Sequence, residues 1–100
     1  MDDSSIVGQE HCLKLQRRID LTAVAGLRAE FLACAGQPLR VDAADVGHLG
    51  GLGLQVLLAA AAHWRQTGQP LVIKPRSAAF DAAVAAFGLA PSALEHRGAE

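Results

Sequence analysis

One hundred residues of 10.4 kDa, 51% of them hydrophobic and 19% charged, describe one compact soluble domain and leave no room for a second. Nine Lys and Arg against ten Asp and Glu give a net charge of -1, which excludes the electrostatic footprint of a nucleic-acid or anionic-membrane binder. The longest apolar stretch, residues 49–62, is broken by Gln55 and falls short of the roughly 20 residues that cross a bilayer.

A chain of this length hides roughly 65% of the surface its unfolded form exposes, so it needs neither a metal nor a disulfide framework. Cys12 and Cys34 lie far apart and match no metal-ligand spacing. The start, MDDSSIVGQE, has no basic region followed by an apolar run, and the expectation is a cytosolic protein with reduced thiols.

In chain order, residues 1–10 form an N-terminal segment with a candidate short edge strand at Ile6 and Val7. Residues 11–19 alternate, Leu13, Leu15 and Ile19 against Lys14, Gln16 and Arg18, and are predicted as one half-exposed strand. Residues 22–35 carry Val24, Leu27, Phe31 and Cys34 at helical spacing, with Asp20 or Thr22 as candidate caps and Gly36 and Pro38 as the stop. Residues 39–42 read as a short strand, followed by a loop of small and polar residues, AADVGHLGG, that opens a helix over residues 52–66 ended by Gly68. A strand at residues 71–74 leads through Pro75 to Ser77, the expected cap of a helix on which Phe80, Val84 and Phe87 form the apolar stripe. Gly88 stops that helix, with Leu89 as its hydrophobic lock. The domain proper is expected over residues 11–94, and residues 95–100 are expected to fray.

This order implies an α/β fold: a single mixed, mainly parallel sheet of about four strands, with helices mostly on one face. The first strand keeps a polar face, and Leu39 and Val41 alternate with Arg40 and Asp42, so the other face is expected to be only partly covered.

In an open parallel sheet, ligands and partners meet the carboxyl ends of the strands. There Gly47, Gly50, Gly51 and Gly53 crowd a helix start, although each glycine weakens regular structure by about 0.5–1 kcal/mol relative to alanine. An anion cradle is one reading, but no Gly-Lys-Ser/Thr follows; a tight turn with close helix-to-strand packing is the simpler one. Asp42 and Asp45 form a conceivable acid and base pair, yet a strand end and a turn cap account for them more simply. His11, His48, His63 and His96 show no zinc-ligand spacing, and only His48 falls in the turn. No hydroxyl side chain occurs between Asp45 and Gln66, so nucleophilic catalysis has no candidate there. On the second helix Gly53, Leu57, Ala60 and Trp64 make the core stripe, whereas Gln55, Ala59, Ala62 and Gln66 make a flat face suited to a partner helix or to self-pairing.

The run LRVDAADVGHLGGLGLQVLL from Leu39, the later Trp64, TGQPLVIK and the closing Phe87-Gly88-Leu89 together resemble the STAS domain, the anti-sigma-factor-antagonist type of module, from Leu13 to Leu94. Members of the phosphorylated kind carry Asp-Ser-Ser/Thr-Gly at this turn. Here Gly50 stands at the aspartate, Gly51 at the acceptor serine and Gly53 at the glycine, so the resemblance implies docking without a phosphoacceptor. Arg17 stands where many members have glycine. The LGGLGLQVLL turn and the Trp64 helix are most similar to small STAS proteins that accompany bacterial chemotaxis kinases; the STAS subunit of lipid-trafficking ABC transporters is a second relative.

The resemblance implies a non-enzymatic, cofactor-free adaptor that binds an ATP-binding kinase-type partner. Its expected partner-binding residues are Asp45, His48, Gly50, Gly51, Leu52, Gln55, Ala59 and Ala62. Two other readings stand beside it: a receiver-like phosphoacceptor using Asp42 with Lys74, and a sensor of a small anion or lipid at the glycine turn.

Overall fold

The structure is a computed structural model that describes residues 11–97; the edge strand expected at Ile6 and Val7 lies outside them. Strands β1 (His11–Lys14), β3 (Leu39–Ala43) and β5 (Leu71–Arg76) form a parallel sheet in the order β1-β3-β5. Two further strands, β2 (Arg18–Ile19) and β4 (His48–Leu49), pair in parallel as a separate two-stranded ladder. Between the strands lie three helices, α1 (Val24–Ala33), α2 (Gly51–Thr67) and α3 (Ala78–Ala86), and a closing 3-10 turn at Pro91–Leu94. This is the expected α/β arrangement, with a main sheet of three described strands rather than about four. Its antiparallel component, among the described residues, is a single bridge between Leu71 and His96.

The central strand shows how the layers are set. Leu39, Val41 and Ala43 are fully buried under the helices, while Arg40 and Asp42 on the opposite face are half-exposed. A strand buried on one face and wet on the other produces this alternation. The covered face joins one core in which Leu57 and Trp64 of α2 and Phe80 and Val84 of α3 are nearly inaccessible. Trp64 lies edge-on to Phe31 with ring centroids 6.1 Å apart, and its Nε1 donates to the Gln37 carbonyl at 2.7 Å. Its one polar atom is therefore satisfied inside the core.

Several expectations are corrected. Residues 11–19 are not one strand. The chain leaves β3 after Leu15, whose N–H donates to Asp42 O at 2.9 Å, and re-pairs with β4 through Arg17 O, which accepts from the N–H groups of Gly47 and His48. Helix α1 begins two residues after Thr22: Asp20 accepts from the Thr22 N–H and hydroxyl at 3.1 and 2.7 Å, closing a turn ahead of the helix instead of capping it. Ser77 caps α3 as expected, accepting from Phe80 N at 3.0 Å, and Gly88 ends it at φ +79° with Leu89 packed against the core. Phe87, expected on the buried stripe, falls one residue past the helix and is half-exposed.

The segment after Leu94 does not fray over its described residues. Leu94 is fully buried, Glu95 Oε2 accepts from Ile73 N at 2.7 Å, and His96 exchanges backbone hydrogen bonds with Leu71 at 2.6 and 2.8 Å. His96 Nδ1 donates to Gln69 O at 2.9 Å, which places the ring proton on that nitrogen. The sequence shows no large apolar residue here because the docking is done by backbone and polar atoms. Ending the chain after Leu94 therefore removes partners of part-buried N–H groups on β5, and urea unfolding of that variant should show a loss of about 2–3 kcal/mol.

Candidate functional site

The turn between β3 and α2 is a fastened ledge. Val46 is buried, and its carbonyl accepts from Ser77 Oγ at 2.6 Å, tying the ledge to the end of β5. Asp42 accepts from the Ala44 N–H at 3.0 Å. Gly47 and His48 donate to Arg17 O at 2.7 and 3.1 Å, and Gly50 donates to Ile19 O at 2.9 Å, before α2 begins. Asp45 pairs with Lys14 across the ledge at 2.9 Å, with both side chains largely exposed.

Among the four glycines, packing compels only Gly53. A Cβ there would lie 2.5 Å from Ile19 Cγ2 and 3.1 Å from Leu49 Cδ1, and Ile19 is buried and β-branched, so it cannot swing aside. The expected close helix-to-strand packing is therefore real at this residue. Gly51 is different: a Cβ would meet the Phe87 ring at 3.8 Å, an ordinary contact, so a serine would fit where the resemblance places an acceptor. Glycine here is a chemical difference that sterics do not impose.

Beside the ledge, α1 and α2 are parted by an apolar groove of about 410 Å³. Of the expected partner-binding residues, Leu52, Gln55 and Ala59 line it; of the flat face of α2, Gln55 and Ala59 do, and Ala62 and Gln66 do not. Asp45, His48, Gly50 and Gly51 sit outside the groove on the ledge, and Ala62 is half-buried away from it. The predicted set is thus split between two adjoining surfaces. The half of the groove supplied by α1, with Val24, Arg28 and Leu32, was missed, as was His63 on α2. Leu32 held the available signal: it stands out of phase with the buried Leu27 and Phe31, and is 67% exposed.

Asp42 is engaged by its own loop, and the ammonium at the ledge belongs to Lys14 rather than Lys74. No group of three His, Cys, Asp or Glu residues suited to a metal occurs among the described residues. Burial pushes the half-buried Cys34 thiol upward, assisted by Glu30, which disfavours its reactive thiolate. No described helix is long and apolar enough to cross a membrane.

Two measurements test the ledge. Gly53→Ala should destabilise by about 1–3 kcal/mol through overpacking, whereas Gly51→Ala should be neutral or stabilising by up to about 1 kcal/mol; paired urea titrations compare them. The hydrogen bond and charge of Lys14 hold the Asp45 carboxyl below its ordinary 3.8, and Asp45 in turn raises Lys14 above 10.5. The pair accordingly contributes at neutral pH; its contribution is lost as pH falls through the lowered Asp45 value and, at the alkaline end, as pH rises through the raised Lys14 value. An NMR titration should place the Asp45 midpoint below 3.8, and Lys14→Met should move it back up.

A family model described as "Mlab, STAS domain" matches residues 3–94, and no match was found among curated proteins. The match spans both ledge and groove, together with the three helices and the parallel strands, and the chain accordingly belongs to the STAS domain family.

Proposed function

We propose that the protein is a non-enzymatic adaptor of bacterial signalling. In this reading it works in the cytoplasm and presents the surface of residues 47–66, extended by α1, to an ATP-binding kinase-type partner of a chemotaxis or partner-switching system. The observation that carries this reading is the apolar groove beside a hydrogen-bonded ledge, a rigid surface that orders little further on binding. Family membership supports it, since STAS domains are consistent with a signalling or partner-switching role. Gly51 supplies no oxygen for phosphate, so in this reading the complex is not switched by phosphorylation at this position.

A second reading, a permanent STAS subunit bound to the ATPase of a lipid-trafficking ABC transporter, is favoured by one feature: the groove is lined mainly by apolar side chains, as permanent interfaces are. Both readings use one surface and differ in the partner's lifetime on it.

Affinity capture with the wild-type chain should retain an ATP-binding protein, and Ala59→Glu should lower its affinity by at least about 30-fold with circular dichroism and melting unchanged. Dissociation within seconds supports the switching adaptor, and co-purification through gel filtration supports the permanent subunit. Retention of the partner by both Ala59→Glu and Leu52→Glu would remove this surface from the account.

A further inference from the structure

Large aliphatic side chains left in water are concentrated at the groove. Of the four large hydrophobic residues exposed among the described residues, Leu32 and Leu52 both line it, one from each helix, at 67% and 49% exposure. The lining residues of α1, Val24, Arg28 and Leu32, and those of α2, Leu52, Gln55, Ala59 and His63, recur at helical spacing, and Ala35 just past α1 lines the groove as well. The two helices run side by side along the trough, joined near their carboxyl ends by the Phe31–Trp64 contact.

The charge of this surface is one-sided. Among the described residues, Arg28 is the only lining residue with a fixed charge, His63 is the one further titratable group, and no carboxylate lines the groove. The ion pairs among the described residues, Lys14 with Asp45, Arg18 with Asp20, and Arg76 with Asp81 and Glu95, leave Arg28 out.

We propose that the groove receives an amphipathic helix of the partner, whose apolar residues fill the trough and whose carboxylate pairs with Arg28. The proposal rests on the adaptor reading for its partner but not for its chemistry. A helix about 10 Å across presents an apolar stripe that can meet lining residues of both α1 and α2, as amphipathic helices do in apolar grooves. A second copy is a poorer occupant: in a two-fold pair the same patch meets itself, and Arg28 would face a lining with no carboxylate to answer it. Desolvating a guanidinium against an apolar partner is costly, so a carboxylate at that point selects among helices of equal hydrophobicity.

The test uses two fluorescein-labelled amphipathic peptides of about 18 residues, rich in Leu and Ala, that differ only in Glu or Lys at one position bordering the apolar face. Anisotropy with the full chain should show the Glu peptide binding about tenfold tighter than the Lys peptide. Arg28→Ala should remove that preference, Arg28→Glu should reverse it, and Leu52→Glu should weaken both peptides. Equal affinity of the two peptides, or a preference that survives Arg28→Glu, overturns the proposal. So does dodecanoate binding that depends on Arg28 while neither peptide binds, which would make the occupant an anionic lipid. A dimer in sedimentation that Leu32→Glu dissociates overturns it in favour of a second copy. If the Glu peptide is preferred but capture retains no ATP-binding protein, the adaptor reading fails and the groove assignment stands. If an ATP-binding partner is captured undiminished by Arg28→Glu, the reverse holds.

Discussion

The seat of α2 on the small β2–β4 ladder is the contact from which the rest of the functional surface follows. At Gly53 the helix backbone comes so close to Ile19 and Leu49 that no side chain fits between them. That approach holds the first turn of α2 against a ladder only two residues long on each strand, too short to be stable alone. Helix and ladder therefore depend on each other. With its start fixed, α2 places Leu57 and Trp64 in the core and turns Leu52 and Ala59 toward α1, and the groove is what is left between the two helices.

The ledge is rigid for a related reason. Its backbone groups are shared with two separate parts of the chain: Arg17 and Ile19 on one side and Ser77 on the other each bond to it, and Val46 is sunk into the core beneath. A glycine-rich turn by itself is entropically loose. Tethered from several sides, it becomes a surface with a shape, and shape is what an adaptor offers. Gly51 lies on that ledge with room for a serine side chain and carries none.

Much of the fold was legible in the sequence because short-range signals were strong. Left-handed glycines at Gly36, Gly68 and Gly88 ended the three helices where expected, and the Ser77 cap lay where its pattern placed it. The errors share a cause. The alternation of Leu13, Leu15 and Ile19 reports which side chains turn inward; its one lapse, the exposed Arg17, falls where the strand changes partners, but a single polar residue does not reveal the new pairing. The tail beyond Leu94 was misjudged because its anchors are a carboxylate and backbone groups, which hydrophobicity does not register. On the site, the α2 face was read and the α1 face was not.

By itself, then, the sequence determined the local alternation of elements, the glycine stops of the helices, most of each helix's buried stripe, and the absence of a side-chain oxygen at residue 51. These depend on residues within a turn or two of one another, through backbone conformation and side-chain periodicity. The tertiary structure decided which strand Arg18 and Ile19 join, which glycine is indispensable, and that Arg28 and Leu32 stand opposite Leu52 and Ala59. A groove belongs to no single helix; its lining comes into being only when two distant segments are packed at a fixed spacing, and that spacing is set by the core beneath them.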